Sequence, residues 1–400
     1  MAALTPLKHN LVGPALRRCF STSRSVQATY GFIGLGRMGY PMAKNLREKT
    51  NSSDKLIVFD VNKDMSSKFT KETEGVEVAQ NVREVAEKSE TIITCLPEPH
   101  HVQNVFKSML KPPTLLKEGT GKERLFIDCS TIDPRSSREV ANATRCSGQG
   151  KFIDAPMSGG EVGARAGSLT FMIGAPDELV ERAKEILGTM GKRVMHLGPQ
   201  SSGLKGKLAN NYILACNNIA VCEAMNMGVQ WGLDPSALAD MINSSTGQCW
   251  PSKVNNPVPG VVENSPASND YVGGFGTALM NKDLKLAMQA AEESKIEPRL
   301  GRLAKEIYDS VESGELKGKD FSIVYKWLQD VFLAFIAILF PPIAVWVKRG
   351  LCSADSLINL ALCCLGVLPG LLHAWYIIYL HPDPTYSEPS QDAEGARMGV

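Results

Sequence analysis

Short apolar segments alternate with charged, amphipathic segments over the first half of the chain. Apolar runs of this length between turn residues are typical of buried strands, and intervening segments such as "PDELVERAKEILGTMG" have helical periodicity. The predicted strands are Tyr30 to Ile33, "KLIVFD", "TIITCLP", "RLFIDCST", "KFIDAPMSGG" and "SLTFMIG". Strands that alternate with helices favour a largely parallel, doubly wound α/β sheet, which we assign to residues 28–196.

The pattern changes near residue 203. From there "GLKGKLANNYILACNNIAVCEAMNMGVQWGLDP" has helical propensity for about eight turns and ends at Gly232 and Pro235. The pattern stays helical up to residue 330. The sequence therefore predicts an all-helical second domain over residues 197–330.

A second change follows residue 330. Residues 331–347 have no charged side chain, "KRGLCSADS" is a polar turn, and residues 357–380 are again apolar. Helices packed on a globular domain keep a polar face, whereas these segments are apolar all round. We therefore predict a two-helix transmembrane hairpin over 331–380, followed by a polar tail over 381–400; a buried, soluble hairpin is the alternative. Pro341-Pro342 and Pro369-Gly370 should bend both helices.

The amino-terminal segment has the composition of a targeting peptide. Residues 1–30 contain no Asp or Glu but include Lys8, Arg17, Arg18 and Arg24 among Ser, Thr and Ala. This composition predicts a mitochondrial transit peptide over residues 1–27. A disordered basic tail is the alternative.

Composition limits the remaining possibilities. The 400 residues have a net charge of +1, which provides no general attraction to nucleic acid, so we expect no nucleic-acid partner. The 10 cysteines include no CxxC pair, and the 6 histidines have no metal-ligand spacing. The sequence therefore predicts reduced thiols and no metal site.

A glycine-rich turn, Gly34-Leu35-Gly36-Arg37-Met38-Gly39, lies between the first strand and an amphipathic helix. A pyrophosphate can bind the N–H groups of a helix N-terminus only if the backbone passes close to it, which explains Gly34 and Gly36. Gly39 lets helix and strand approach each other. This arrangement predicts a Rossmann-type dinucleotide site.

Asp60 ends the second strand, about 20 residues beyond the glycines. A carboxylate at this position accepts hydrogen bonds from the adenosine ribose and repels a 2′-phosphate, so it favours NAD as the cofactor. Lys63 leaves NADP as an alternative. The loops "LPEP" and "DCSTIDP" should line the nicotinamide side of the crevice.

Lys207 and Asn211 project from one face of the long helix because they are four residues apart. Asn211 could hold a small hydroxy acid while Lys207 exchanges the hydroxyl proton, provided that burial lowers the lysine pKa. A solvated surface lysine is the alternative, and Lys205 illustrates that kind.

These motifs together resemble the β-hydroxyacid dehydrogenase family. The similarity runs from about Gly31 to Gln329 through "GFIGLGRMGYPMAKNL", "DAPMSGGEVGARAGSLTFMIG", "KLANN", "NPVPG" and "GGFGTALMNKDLKLA". It implies that Lys207 is the catalytic lysine, with Asn211 beside it, and that Ser158, Gly159 and Gly160 bind the substrate carboxylate. It further implies that Leu96, Pro97, Thr131 and Lys282 contact the cofactor.

The resemblance also implies a reaction, the NAD-dependent oxidation of 3-hydroxyisobutyrate to methylmalonate semialdehyde in valine breakdown, and a homo-oligomer. The partner is then a small hydroxy acid. One alternative is an NADPH-dependent reductase of succinic or tartronate semialdehyde, which Asp60 disfavours. Another is a nucleotide-binding protein without catalysis, which the presence of Lys207 with Asn211 disfavours.

The segment 331–380 resembles a second family, the small stress-induced plasma-membrane proteolipids, through "LFPPIAVWVKRG" and "INLALCCLGVLPGLLHAWYII". The transit peptide indicates the mitochondrial matrix, so the two ends indicate different locations. Either the chain is a fusion that tethers a dehydrogenase to a membrane, or two neighbouring genes are joined in one reading frame. In a spanning hairpin, Lys348 and Arg349 would hold the turn on the positive side and leave the enzyme across the membrane.

Overall fold

The computed structural model describes residues 27–112 and 123–381. Nearly all of the predicted transit peptide and of the polar tail therefore lies outside the described residues. Within them, a six-stranded sheet has the order β3-β2-β1-β4-β5-β6, with every pair parallel. Its strands are β1 (Thr29–Ile33), β2 (Lys55–Phe59), β3 (Val76–Val78), β4 (Thr91–Thr94), β5 (Leu125–Asp128) and β6 (Lys151–Asp154).

Helices cover both faces of this sheet, which confirms the doubly wound architecture. Parallel strands buried on both faces need continuous apolar runs, and β4 and β5 are buried at every position. Core clusters lie on either side of the sheet, one around Phe32 and Ile127 and the other around Ile33 and Phe126. The helices are α1 (Gly39–Lys49), α2 (Lys63–Glu72), α3 (Val82–Lys88), α4 (Pro99–Met109) and α5 (Pro134–Cys146).

A second, three-stranded sheet follows. Its strands are β7 (Met157–Ser158), β8 (Leu169–Ile173) and β9 (Gly191–His196), and the connecting helices are α6 (Gly160–Arg165) and α7 (Asp177–Leu187). β7 pairs antiparallel with β8, and β8 pairs parallel with β9. The segment "KFIDAPMSGG" therefore supplies two short strands in two sheets rather than one strand.

The remainder of the enzyme portion is helical, as predicted. The 29-residue helix α8 (Ser202–Gln230) is its central element. Around it lie α9 (Pro235–Ser244), α10 (Trp250–Lys253), α11 (Thr277–Glu293), α12 (Arg299–Ser313) and the first part of α13 (Val324–Leu339), with 3₁₀ turns at Pro266–Asn269 and Phe321–Ile323. The core of this portion includes the fully buried side chains of Tyr271, Tyr308 and Phe321.

Asp154 joins the sheet to α8. Its carboxylate accepts hydrogen bonds from the backbone N–H groups of Ser201 (2.6 Å) and Leu204 (2.9 Å), which are at the start of the helix. Gly203 packs against Asp154 and the carbonyl oxygen of Met172, leaving no room for a side chain. Burial raises the pKa of Asp154 to about 7. This contact fixes the position of the first helical turns, which include Lys207.

The apolar tail is helical, and each predicted helix is interrupted. α13 ends at Leu339 and is followed by α14 (Pro341–Arg349), α15 (Ala354–Cys364) and α16 (Val367–Leu380). Phe340 has extended backbone angles (φ −142°, ψ 80°) because the residue before a proline is disfavoured in the helical region. Gly366, with φ +139°, separates α15 from α16. The second break therefore precedes the predicted bend at Pro369-Gly370, which lies within the first turn of α16. Among the described residues, one helical stretch, Phe321–Leu339, is long and apolar enough to cross a membrane.

Candidate active site

The glycine turn forms the first wall of the site. Gly34 has φ +100°, and a Cβ there would collide with the carbonyl oxygen of Cys95 on the neighbouring strand. A Cβ at Gly39 would collide with the carbonyl oxygen of Gly34. A Cβ at Gly36, by contrast, would meet no atom within 4 Å. Two glycines are therefore required by packing, whereas Gly36 keeps the surface beside the α1 N-terminus accessible to a ligand.

Asp60 lies directly beside this turn. Its carboxylate accepts the N–H of Leu35 at 2.6 Å and the N–H of Asn62 at 2.7 Å. The side chain is thereby held at the carboxyl end of β2, next to the glycine turn. A fixed carboxylate at this edge fits ribose hydroxyls and disfavours a 2′-phosphate.

The other two residues of the turn have different surroundings. Met38 is partly buried against the core under α1. Arg37 is exposed, and its Nε lies 3.1 Å from Glu161 on α6. Arg165 also pairs with Glu161, at 2.6 Å. This exposed ion pair contributes little to stability, but it links the glycine turn to the segment after β7.

Lys282, on α11, connects the helical portion to the two predicted cofactor loops, "LPEP" and "DCSTIDP". Its Nζ donates hydrogen bonds to the carbonyl oxygens of Pro97 and Thr131, both at 3.0 Å. The N–H of Leu96 donates to Ser130 Oγ at 2.9 Å. The predicted cofactor positions Leu96, Pro97, Thr131 and Lys282 are thus brought together at the ends of β4 and β5.

A buried carboxylate supports these loops from behind. Asp128 Oδ1 accepts hydrogen bonds from Thr94 Oγ1 (2.8 Å) and from Ser130 Oγ (2.6 Å). Burial raises the pKa of Asp128 to about 6, although these hydrogen bonds and the nearby Lys282 charge oppose the increase. Asp128 therefore orients Ser130, which in turn holds Leu96.

Lys207 is buried. Only 7 % of the residue is exposed, so the alternative of a solvated surface lysine is wrong. Burial lowers the pKa of Lys207 because removal of water disfavours the ammonium form. The negative charge of Asp283 opposes this decrease, and the positive charge of Lys282 adds to it.

Asn211 lies one turn from Lys207 and is also buried. Its Nδ2 donates a 2.6 Å hydrogen bond to Asp283 Oδ2, and its Oδ1 accepts a hydrogen bond from Asn210 at 3.0 Å. The orientation of the amide is therefore fixed on both sides. Burial raises the pKa of Asp283, while Lys207, Lys282 and the Asn211 hydrogen bond act in the opposite direction.

Asp283 is the residue that sequence reasoning missed. It follows Lys282 directly in "NKDLKLA", where an acidic residue on a charged helix looks like an ordinary surface side chain. The available signal was indirect: a lysine buried on α8 requires a neighbouring carboxylate, and α11 packs on α8. Asp283 completes a buried group with Lys207 and Asn211, and partly buried Lys282 lies at its edge.

The Ser158-Gly159-Gly160 segment forms a tight turn between β7 and α6. Gly159 and Gly160 have φ values of +131° and +61°, so the turn requires glycine at both positions. A Cβ at Gly160 would meet no atom within 4 Å, which leaves the backbone accessible. The described hydrogen bonds and ion pairs connect this region to the glycine turn, through Arg37 and Glu161, rather than to Lys207.

Comparison with known families divides the chain into three matched segments. Residues 29–198 match the NAD-binding domain of 6-phosphogluconate dehydrogenase. Residues 201–328 match a family described as the NAD-binding domain of NADP-dependent 3-hydroxyisobutyrate dehydrogenase. Residues 330–379 match a family described as proteolipid membrane potential modulator. The proteolipid resemblance of the tail is thereby confirmed.

Individual relatives cover the enzyme portion almost completely. The probable mitochondrial 3-hydroxyisobutyrate dehydrogenase of Dictyostelium discoideum is 42% identical over 315 residues, which are 79% of this chain and 94% of that protein. The mitochondrial 3-hydroxyisobutyrate dehydrogenase of Rattus norvegicus is 44% identical over 310 residues, 78% of this chain and 90% of that protein.

A solved structure gives the same result. The 3-hydroxyisobutyrate dehydrogenase of Mycobacterium tuberculosis, determined with L-serine, is 36% identical and superposes with a TM-score of 0.69 over 76% of this chain and 99% of that one. Its fold therefore corresponds to the enzyme portion, without the tail. On the strength of these matches and of a dinucleotide site beside a buried lysine, the chain belongs to the 3-hydroxyisobutyrate dehydrogenase family of oxidoreductases.

Proposed function

We propose that the chain oxidises 3-hydroxyisobutyrate to methylmalonate semialdehyde with NAD⁺, with Lys207 as the general base. The observation that supports this proposal is the burial of Lys207, which lowers its pKa, together with Asn211 and Asp283 beside it. A general base must be partly neutral near its working pH, and a buried lysine meets this requirement where a solvated one does not. The names of the curated relatives supply the substrate class.

Bound NAD⁺ would supply the hydride acceptor for oxidation of the carbinol carbon. The residues that would hold the cofactor are Gly34, Leu35, Gly36, Arg37, Met38, Gly39, Asp60, Leu96, Pro97, Thr131 and Lys282. The free space at Gly36 and the fixed carboxylate of Asp60 fit a pyrophosphate and a ribose without a 2′-phosphate. This fit favours NAD over NADP, and dehydrogenation over the NADPH-dependent reductase alternative.

Proton transfer is the task of Lys207. Its neutral amine takes the hydroxyl proton as the carbonyl forms, and the resulting ammonium is stabilised by Asp283. Asn211 is fixed by Asp283 and Asn210, so it can orient the substrate without rearrangement. In the reverse direction the ammonium returns the proton to the carbonyl oxygen.

The substrate carboxylate would bind the Ser158-Gly159-Gly160 turn. Two consecutive residues with positive φ expose backbone N–H groups, and these are suitable donors for an anion. Mitochondrial relatives support a mitochondrial location, and we infer the matrix from the basic amino-terminal segment.

Replacement of Lys207 tests the chemical role. Lys207→Ala should retain NADH binding, measured by fluorescence titration, and reduce kcat for 3-hydroxyisobutyrate oxidation by about 1,000-fold, because the base is lost. The matched control is Lys205→Ala, an exposed lysine on the same helix, which should retain kcat. Turnover of Lys207→Ala within a factor of ten of the unmodified chain would contradict the proposal.

The role of Asp283 predicts a change in pH dependence. Its negative charge raises the pKa of Lys207, so Asp283→Asn should lower that pKa while retaining an acceptor for Asn211. Oxidation requires the neutral amine, hence kcat/KM rises with pH through the Lys207 pKa. The rising limb of the kcat/KM profile should therefore move to lower pH in Asp283→Asn. A limb that stays in place or moves to higher pH would exclude this electrostatic role.

Lys282 should act on cofactor affinity. Lys282→Ala removes two hydrogen bonds that hold the Pro97 and Thr131 loops, and we expect the Kd for NADH to increase about 10-fold. Lys285→Ala, one turn along α11, is the matched control because Lys285 pairs with Asp309 and not with the loops. Equal Kd values for the two variants would refute this assignment.

A further inference from the structure

The tail bundle, residues 330–380, exposes an unusually large apolar surface. Leu365 is 80 % exposed, and many other apolar side chains in the bundle are also exposed. The most exposed of them are Phe335, Leu339, Phe340, Leu351, Leu357, Leu365, Val367 and Leu368. Apolar surface of this extent is characteristic of contact with a membrane or another protein.

The chain reverses direction three times within the bundle, once at the turn formed by residues 350–353 and at two further points. Lys348 Nζ lies 2.5 Å from Asp330 Oδ1, although in one continuous helix these residues would be about 27 Å apart. Asn359 Nδ2 donates to the carbonyl oxygen of Gly370 at 2.8 Å, whereas a continuous helix would separate them by about 16 Å. These two reversals occur at Phe340 and at Leu365-Gly366, which we call the far turns.

Both far turns lie at the end of the bundle away from the enzyme. Near its carboxyl end, α16 returns to α13, where Trp375 Nε1 donates to the carbonyl oxygen of Ala334 at 3.2 Å. Tyr379 lines a cleft with Glu315, just beyond α12 of the enzyme portion. The end of α16 is therefore next to the enzyme, and its start at Val367 is at the opposite end.

Charge is confined to the end near the enzyme. The charged side chains of the bundle form two ion pairs there, Lys348 with Asp330 and Arg349 with Asp355 at 2.6 Å. Exposed Tyr376 and Tyr379 lie toward the same end, as aromatic residues do at a membrane interface. Neither far turn, Phe340 or Leu365-Gly366, contains an ionisable side chain.

Two helices of the bundle, α15 and α16, are too short to cross a bilayer. α15 has 11 residues and α16 has 14, which correspond to about 16 Å and 21 Å, whereas the hydrocarbon core is about 30 Å thick. The stretch Phe321–Leu339 is long and apolar enough to cross a membrane, but Phe321, Ile323 and Val324 are buried in the enzyme core and cannot also contact lipid.

We propose that the tail bundle is a one-leaflet membrane anchor. Its far turns insert among the acyl chains of the leaflet that faces the enzyme, and the ion-paired end lies at the headgroups. The enzyme, the 350–353 turn and residue 381 are then all on one side of the membrane. This topology differs from that of a spanning hairpin, which would place the 350–353 turn opposite the enzyme. The proposal does not depend on the catalytic role of Lys207.

Native cysteines allow a direct test. Cys146 lies on the enzyme, Cys352 in the 350–353 turn and Cys364 beside a far turn, and all three are exposed. The full chain is incorporated into phosphatidylcholine–phosphatidylglycerol vesicles, treated with a membrane-impermeant maleimide before or after detergent, and analysed peptide by peptide by mass spectrometry. Cys352→Ser identifies the turn peptide.

The expected result is equal labelling of Cys146 and Cys352 before detergent, whatever fraction of the molecules faces outward, with at least tenfold lower labelling of Cys364. A spanning hairpin would give complementary labelling, with Cys352 protected in the molecules whose Cys146 reacts. Equal labelling of all three cysteines in vesicles would mean that the bundle stays in water. Either of these two results overturns the proposal, and neither depends on dehydrogenase activity.

A matched pair of substitutions tests insertion depth. Leu365→Lys places a charge at a far turn and should reduce vesicle partitioning in a flotation assay by about 100-fold. Leu351→Lys places the same charge at a similarly exposed position, 68 % against 80 %, in the 350–353 turn, and should leave partitioning unchanged. Equal partitioning of the two variants would refute the one-leaflet arrangement.

Discussion

The contact between Asp154 and the start of α8 fixes the geometry on which the candidate active site depends. Asp154 ends the last strand of the parallel sheet, and its carboxylate binds two N–H groups that have no partner within the helix. The interaction is buried, so the helix cannot shift along the sheet without leaving these groups unpaired. Lys207 is therefore held at a set distance from the cofactor loops by backbone contacts, not by its own side chain.

Buried Lys207 and Asp283 and partly buried Lys282 form a compact group of three charges. Lys207 and Lys282 repel each other, and the negative charge of Asp283 attracts both. Burial and the Lys282 charge lower the pKa of Lys207, whereas Asp283 opposes that decrease. Lys282 satisfies its ammonium with two carbonyl groups and remains a structural link. Lys207 is more deeply buried, and in the proposed mechanism this difference distinguishes the lysine that exchanges protons from the one that positions loops.

The sequence predicts those parts of the fold and site whose residues are close together along the chain. The glycine turn and Asp60 lie in one strand–turn–helix–strand unit, so spacing alone places them together, as the Leu35–Asp60 hydrogen bond confirms. Strand β9, "GKRVMH", was not predicted because its composition is polar and its pairing with β8 is decided by tertiary packing. Asp283 was missed for the same reason, since only the packing of α11 on α8 brings it to Lys207 and Asn211.

The tail shows a further limit of sequence patterns. A hydropathy pattern shows which residues are apolar but not where the chain reverses direction. Residues 331–347 therefore resemble one continuous helix in the sequence. A proline pair removes two backbone donors, and the preceding Phe340 is forced out of the helical region. The chain turns at Phe340, and the Asp330–Lys348 pair joins the two arms of this hairpin at its polar end. Length and direction together, rather than apolarity, decide whether such a segment spans a bilayer or enters one leaflet.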